Sequence, residues 1–140
     1  MTRKARILIV DDSRPTVMIL ERVLKKEGYE VFTAYDGKEG LQKARELKPD
    51  LMILDIMMPK MDGYQVCQRL QRDPETARIG VLMLTAKGGI DDKKVKYGLT
   101  TAIKERTIGF EVGAVEFLTK PVTAKELLKR VKSVLWSGGF

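Results

Sequence analysis

The sequence predicts an α/β fold in which five short strands alternate with helices in a doubly wound parallel sheet. Short apolar runs such as Leu51–Leu54 are too brief for buried helices and are typical of strands covered on both faces. Amphipathic stretches with helical spacing separate these runs, which favours parallel strands joined by right-handed crossovers. A chain of 140 residues with 44% apolar residues has room for one domain with a sizeable core.

The predicted strands are short, mostly apolar runs, four of which are followed by polar residues. In chain order they are Arg6–Val10, Glu30–Ala34, Leu51–Leu54, Val81–Leu84 and Val115–Leu118. An apolar residue at every position indicates burial on both faces, as in the centre of a parallel sheet. The strand ends should therefore deliver their following polar residues to one edge.

The predicted helices lie between the strands and carry start and stop signals. They run from Ser13 to about Lys26, from the Asp36-Gly37 turn to Leu47, from Tyr64 to about Arg72, from about Thr100 to Val112, and from Thr123 to about Trp136. Ser13 is a typical N-cap, and Gly28 is a typical residue just past a helix end. Apolar residues at helical spacing, such as Val17, Leu20 and Leu24, should face the sheet.

Composition excludes several classes of function. The chain contains no histidine, which excludes histidine acid–base catalysis, histidine metal sites and phosphohistidine on this chain. The single cysteine, Cys67, cannot form an internal disulfide, in agreement with a reducing cytoplasm, and its place in a predicted helix indicates burial. No apolar run is long enough for a membrane span or a signal peptide. The net charge of +7 is spread over several helices, so we expect no direct DNA binding.

Polar residues of complementary chemistry follow four of the predicted strands. Asp11 and Asp12 follow the first strand, Asp55 the third, Thr85 the fourth, and Lys120 lies just past the fifth. In a parallel sheet these ends share an edge, and three crowded carboxylates cannot all ionise cheaply without a cation. Carboxylates with a backbone carbonyl and waters suit Mg²⁺, while a hydroxyl and an ammonium suit a bound phosphoryl group. Asp55 is then the natural nucleophile, because a carboxylate can carry phosphoryl as a mixed anhydride.

Four stretches of the sequence resemble the receiver domains of two-component response regulators. They are ILIVDDS at Ile7–Ser13, LMILDIMMPKMDG at Leu51–Gly63, VLMLTA at Val81–Ala86 and GAVEFLTKPV at Gly113–Val122. They occur in the family's order and span nearly the whole chain. The resemblance implies one receiver domain over residues 1–140, with the flavodoxin-like (βα)5 topology and strand order 2-1-3-4-5.

The resemblance also implies a role for each residue at the predicted edge. Asp55 would be phosphorylated, Asp12 and Asp55 would bind Mg²⁺ directly together with the backbone carbonyl of Met57, and Asp11 would act on the metal through water. The implied phosphoryl-binding and switch residues are Thr85, Ala86, Lys120 and Phe117. Lys120-Pro121 would be a cis peptide. For Phe117, a simple core position is an equally good interpretation.

By the same resemblance, the chain would accept phosphoryl on Asp55 from a partner histidine kinase or phosphotransfer protein and signal to a downstream protein in the cytoplasm. It would not be an enzyme beyond Mg²⁺-dependent self-phosphorylation and self-dephosphorylation at Asp55. The alternatives are a receiver fragment of a longer regulator, since few residues follow the last predicted helix, and a non-phosphorylated scaffold. A phosphohydrolase is disfavoured because Met57 occupies the place of its usual acid–base carboxylate. The sequence leaves the oligomeric state open.

One stretch departs from the family pattern. Between Thr85 and Lys120 the chain is longer than usual by about a dozen residues, more than an ordinary βα loop contains. The extra length falls in Gly88–Leu99, GGIDDKKVKYGL, where three lysines outnumber two aspartates. We expect either a tolerated surface insertion or a loop that contributes to partner choice.

Overall fold

The computed structural model describes residues 3–85 and 116–137. Five parallel strands form one sheet in the order β2-β1-β3-β4-β5. The strands are β1 Arg6–Val10, β2 Glu30–Ala34, β3 Leu51–Asp55, β4 Gly80–Thr85 and β5 Glu116–Thr119. The described helices are α1 Arg14–Lys26, α2 Gly37–Leu47, α3 Gly63–Arg72 and α4 Ala124–Ser137. These labels count the described helices only. The predicted fold class and strand order are confirmed.

Two predicted features lie outside the described residues: the helix from about Thr100 to Val112 and the insertion at residues 88–99. Within residues 3–85 and 116–137, no helix is both long and apolar enough to cross a membrane.

The sheet separates two apolar layers because alternate residues of each strand point to opposite faces. On one face, Ile7, Ile9 and Ile53 pack against α1 and α4; on the other, Leu8 and Leu54 pack against α2 and α3. All five of these side chains are fully buried, and burying one such side chain contributes about 1.5–3 kcal/mol. Burial on both faces makes β3 a rigid support for the carboxylate at its end.

The helices start with capping side chains at the edge where the strands end. The Ser13 hydroxyl accepts from the Thr16 N–H at the start of α1. Asp62 and Gln65 form a capping box at the start of α3, with bonds of 2.9 and 3.0 Å. Each such cap satisfies helix N–H groups that lack partners in the first turn. The capped helix starts therefore border the carboxyl edge of the sheet.

Three strands extend beyond their predicted bounds. β3 ends at Asp55 instead of Leu54, β4 runs from Gly80 to Thr85, one residue more at each end, and β5 ends at Thr119 instead of Leu118. Thr85 pairs with Thr119 across the ladder. Apolar runs mark only the interior of a strand, whereas backbone pairing decides its ends, and the predicted strands therefore stop one residue short of Asp55, Thr85 and Thr119.

Candidate functional site

Three aspartates meet at the carboxyl edge of the sheet. Asp11 directly follows β1, Asp12 comes next, and Asp55 is the last residue of β3. One carboxylate oxygen from each of them lies within 4.8 Å of the other two. The structure thus brings together the three carboxylates that the sequence places at strand ends.

Lys120 bridges two of these carboxylates from the end of β5. Its Nζ lies 3.1 Å from Oδ2 of Asp11 and 3.3 Å from Oδ1 of Asp55. Its backbone N–H donates to the Thr85 carbonyl at 2.9 Å, and its peptide bond to Pro121 is cis. Burial by itself would lower the pKa of Lys120, but the charges and hydrogen bonds of Asp55 and Asp11 outweigh it and raise the pKa. Lys120 therefore stays an ammonium at the centre of the site.

Asp55 is held in an unfavourable environment for a charge. It is 4% exposed, and burial followed by the nearby charge of Asp11 raises its pKa to about 6, although Lys120 acts in the opposite direction. Near neutral pH the carboxylate is ionised, yet its ionisation is costly. A further cation next to Asp55 would relieve that cost.

Asp11 and Asp12 are adjacent but differ in environment. Asp11 is fully buried, and its Oδ1 accepts from the Ser13 N–H at 2.9 Å while Oδ2 faces Lys120. Asp12 is exposed. One carboxylate is thus fixed inside the site, and the other lies at its entrance.

These residues fit a hard divalent cation. Three carboxylates face one ammonium, so the cluster carries excess negative charge when all three are ionised. Met57 follows two residues after Asp55 and is 66% exposed, and among the residues described its carbonyl accepts no backbone hydrogen bond. Carboxylate and carbonyl oxygens with room for water are the ligands that Mg²⁺ uses.

The remaining predicted site residues occupy different surroundings. Thr85 is 4% exposed, and its hydroxyl donates to the Thr119 hydroxyl at 3.3 Å. Phe117 is 5% exposed and lies in the apolar layer beside α2 and α3, an arrangement in keeping with its interpretation as a core aromatic. Ala86 lies outside the described residues.

Sequence reasoning missed two contributions to the site. Thr119 lies one residue past the predicted fifth strand, but its strand pairing brings its hydroxyl to Thr85. Gly63 is the second residue, and it lies just before the predicted start of the helix at Tyr64. A Cβ at Gly63 would lie 2.5 Å from the backbone oxygen of Asp55 and 2.8 Å from Cα of Ile56, so only glycine lets α3 start against the end of β3. The available signal was a glycine directly before the predicted start of the helix.

The sequence matches known proteins over most of its length. The model of the response regulator receiver domain family matches residues 7–132. The DNA-binding dual master transcriptional regulator RpaA of a Synechocystis species is 45% identical over 130 residues, which are 93% of this chain and 48% of that protein. The response regulator PleD of Caulobacter vibrioides is 44% identical over 93% of this chain and 26% of its own length. The chain spans about half or less of these curated relatives.

Solved structures agree in fold over whole chains. A putative response regulator from Chloroflexus aurantiacus aligns with a TM-score of 0.82 and 39% identity, covering 96% of this chain and 99% of that one. The chemotaxis protein CheY4 of Vibrio cholerae aligns with a TM-score of 0.79 and 30% identity, covering 94% of this chain and 99% of that one.

Proposed function

Because this chain belongs to the response regulator receiver domain family of two-component signalling, we propose that Asp55 accepts a phosphoryl group in a Mg²⁺-dependent reaction. The proposed donor is a phosphohistidine of a histidine kinase or phosphotransfer protein. Because this chain has no histidine, that phosphohistidine must lie on another protein. One observation carries the proposal. Three carboxylates are close enough together, with one oxygen of each within 4.8 Å of the others, to bind one cation, and the ammonium of Lys120 contacts the carboxylate at the end of β3.

The transfer step uses Asp55 as the nucleophile. A carboxylate oxygen of Asp55 forms a new P–O bond while the P–N bond of the donor phosphohistidine breaks and the imidazole leaves. With its pKa raised to about 6, Asp55 is ionised near neutral pH and more basic than an ordinary aspartate. Both properties favour attack on phosphorus.

The other residues of the site make room for an anion. Asp11, Asp12 and Asp55, with the Met57 carbonyl, would hold Mg²⁺, which when bound neutralises the excess carboxylate charge. Lys120, now shared by two carboxylates, can donate to a phosphoryl oxygen. The Thr85 hydroxyl, now bonded to Thr119, can rotate to donate to another.

Signalling follows from these changes in the hydrogen bonds of Lys120 and Thr85. Phosphorylation at Asp55 biases Thr85 and Lys120 toward the phosphoryl group and shifts a two-state equilibrium of the neighbouring β4 and β5 surface, including the packing of Phe117. The output is contact with a downstream protein in the cytoplasm, with no direct binding of DNA by this domain. We expect no enzymatic turnover beyond self-phosphorylation and self-dephosphorylation at Asp55.

Intact-mass spectrometry with acetyl phosphate tests the chemistry. Asp36→Asn is a matched control, because Asp36 lies at the same edge and asparagine also caps helices well. The wild type and Asp36→Asn should gain the mass of one phosphoryl group with Mg²⁺ and none in excess EDTA, whereas Asp55→Asn should gain none. An unmodified wild type would favour the scaffold alternative, and an adduct on Asp55→Asn would refute Asp55 as the acceptor.

A further inference from the structure

A cleft lies between the C-terminal ends of α2 and α3, at the edge of the sheet opposite Asp55. Helices that follow parallel strands run back to the amino edge, so α2 and α3 end there together. The cleft has a volume of about 420 Å³, and its walls include Leu41, Arg45, Arg69, Arg72, Asp73 and Pro74. We refer to this feature as the arginine cleft.

The carboxylate of Asp73 accepts hydrogen bonds within the arginine cleft. Asp73 accepts from the Glu75 N–H at 2.9 Å and from Nε of Arg45 at 3.1 Å. The hydrogen bond from the Glu75 N–H is the largest of several effects that lower the pKa of Asp73. The hydrogen bond from Arg45 and the charges of Arg45 and Lys48 act in the same direction, and burial opposes them. Asp73 therefore remains ionised and holds Arg45 at the wall of the cleft.

The arginine cleft has more cations than its own carboxylate can balance. Arg69 and Arg72 form no ion pair with any carboxylate in the described part of the chain. Each helix C-terminus contributes about half a negative charge, so α2 and α3 together offset about one of the guanidiniums, and Asp73 offsets another. Roughly one unit of positive charge is left for a partner.

We propose that the arginine cleft docks an acidic peptide segment of a partner protein. Carboxylates of the segment would pair with Arg69 and Arg72, because the guanidinium fork matches carboxylate geometry in bidentate fashion. An apolar side chain between them would pack on Leu41 and Pro74. Arginine is also enriched among the residues that dominate binding energy at protein interfaces.

Two features favour a peptide over other anions. The side chain of Arg45 is 62% exposed and Arg69 and Arg72 are exposed, whereas small-molecule sites bury most of their ligand. The apolar wall formed by Leu41 and Pro74 can pack against an aliphatic side chain of a peptide, which a nucleic-acid backbone lacks.

Docking at this place should not depend on phosphorylation. The arginine cleft lies at the amino edge of the sheet, and the proposed phosphoryl site lies at the carboxyl edge, with the buried length of β3 between them. The proposal therefore goes beyond the proposed function and can be tested on protein that carries no phosphoryl group.

Fluorescence anisotropy with a labelled peptide, Glu-Glu-Leu-Asp-Glu-Leu-Glu-Glu, provides the test. The cleft variant is Arg69→Gln/Arg72→Gln. The matched control, Arg22→Gln/Lys26→Gln, removes the same charge from exposed positions of α1 that form no ion pair with the described residues. We expect the cleft variant to weaken binding by about tenfold and the control by less than about twofold. Circular dichroism would verify that both variants are folded.

Other results of these binding measurements would overturn the proposed docking site. Equal weakening of both variants would show attraction to overall charge and overturn the cleft, as would absence of measurable binding to the wild type. A labelled DNA duplex that binds more tightly than the peptide and depends on Arg69 and Arg72 would overturn the peptide assignment. Asp55→Asn and protein treated with acetyl phosphate should bind like the wild type, whether or not phosphorylation occurs. A changed affinity only after phosphorylation would refute the independence of the two edges.

Discussion

Two aspartates at opposite ends of β3 have opposite electrostatic environments. Asp50, just before the strand, accepts hydrogen bonds from both terminal nitrogens of Arg3 and from the Arg6 N–H. Although burial raises the pKa of Asp50, these bonds and charges lower it by more. Asp55, at the other end, has its pKa raised to about 6 by burial and by Asp11.

The difference separates a structural carboxylate from the proposed phosphoryl acceptor. Asp50 is matched to donors from β1 and the preceding segment, so its charge stabilises the pairing of β1 with β3. Asp55 shares one ammonium with Asp11, so its charge is only partly compensated. The proposed binding of a cation and then of a phosphoryl group would require this imbalance, and the fold tolerates it because the apolar layers on both faces of the sheet supply stability.

Replacing Lys120 should have the largest effect. Lys120→Met leaves Asp11 and Asp55 buried without their shared ammonium, which should lower the free energy of unfolding by about 2–3 kcal/mol near pH 8 in EDTA, with a smaller loss below about pH 6, where Asp55 is protonated. Urea denaturation measures it. The control is Lys132→Met, because Lys132 pairs with Glu27 at 3.5 Å on the surface and its loss should cost less than about 1 kcal/mol. Equal losses in the two variants would contradict the special role of Lys120.

Neutralising Asp50 should come next. Asp50→Asn weakens the bonds from Arg3 and Arg6 and should lower the free energy of unfolding by about 1.5 kcal/mol at neutral pH. A lowered pKa contributes stability above the unfolded pKa that is lost as pH falls through the folded pKa. The deficit of the variant should therefore disappear in acid. Urea denaturation over a pH series tests this, and a deficit that persists unchanged at low pH would mean that geometry, not charge, is responsible.

Neutralising Asp55 should act in the opposite direction. Its raised pKa contributes stability below the unfolded value of 3.8 that is lost as pH rises through about 6. The free energy of unfolding of Asp55→Asn should thus equal that of the wild type in acid. Above about pH 6, without divalent cations, it should be higher by about 1 kcal/mol after allowance for solvent screening. Thermal denaturation in EDTA across this range measures the gap. A variant less stable than the wild type near pH 8 would overturn the comparison.

The smallest effect concerns two lysines with left-handed backbone. Lys48 has φ of 46° before Asp50, and Lys60 has φ of 68° after Asp55. Glycine adopts this region without strain, so Lys48→Gly and Lys60→Gly should each add about 0.5 kcal/mol to the free energy of unfolding. Only Lys60→Gly, in the loop that carries Met57, should also change the rate of Asp55 phosphorylation. An equal change in the phosphorylation rate of Lys48→Gly would show that the loops at the two ends of β3 do not act independently on Asp55.

The sequence by itself determined the fold class and most of the candidate site. Apolar runs covered on both faces identify parallel strands, and parallel strands place their following residues at one edge, so Asp11, Asp55 and Lys120 could be grouped before any coordinates. Strand order came from the resemblance to receiver domains. These features are encoded locally, in periodicity and in the residue that ends each run.

Only the tertiary structure decided how each group is used. Nothing local distinguishes the fully buried Asp11 from the exposed Asp12, or predicts that Thr119 pairs with Thr85. The arginine cleft joins Arg45 of α2 to Arg72 of α3, which only the packing of two helices on one face of the sheet brings together. Desolvation and charge–charge distance depend on elements far apart in the chain, and this is why the pKa of Asp55 could not be derived from its neighbours in sequence.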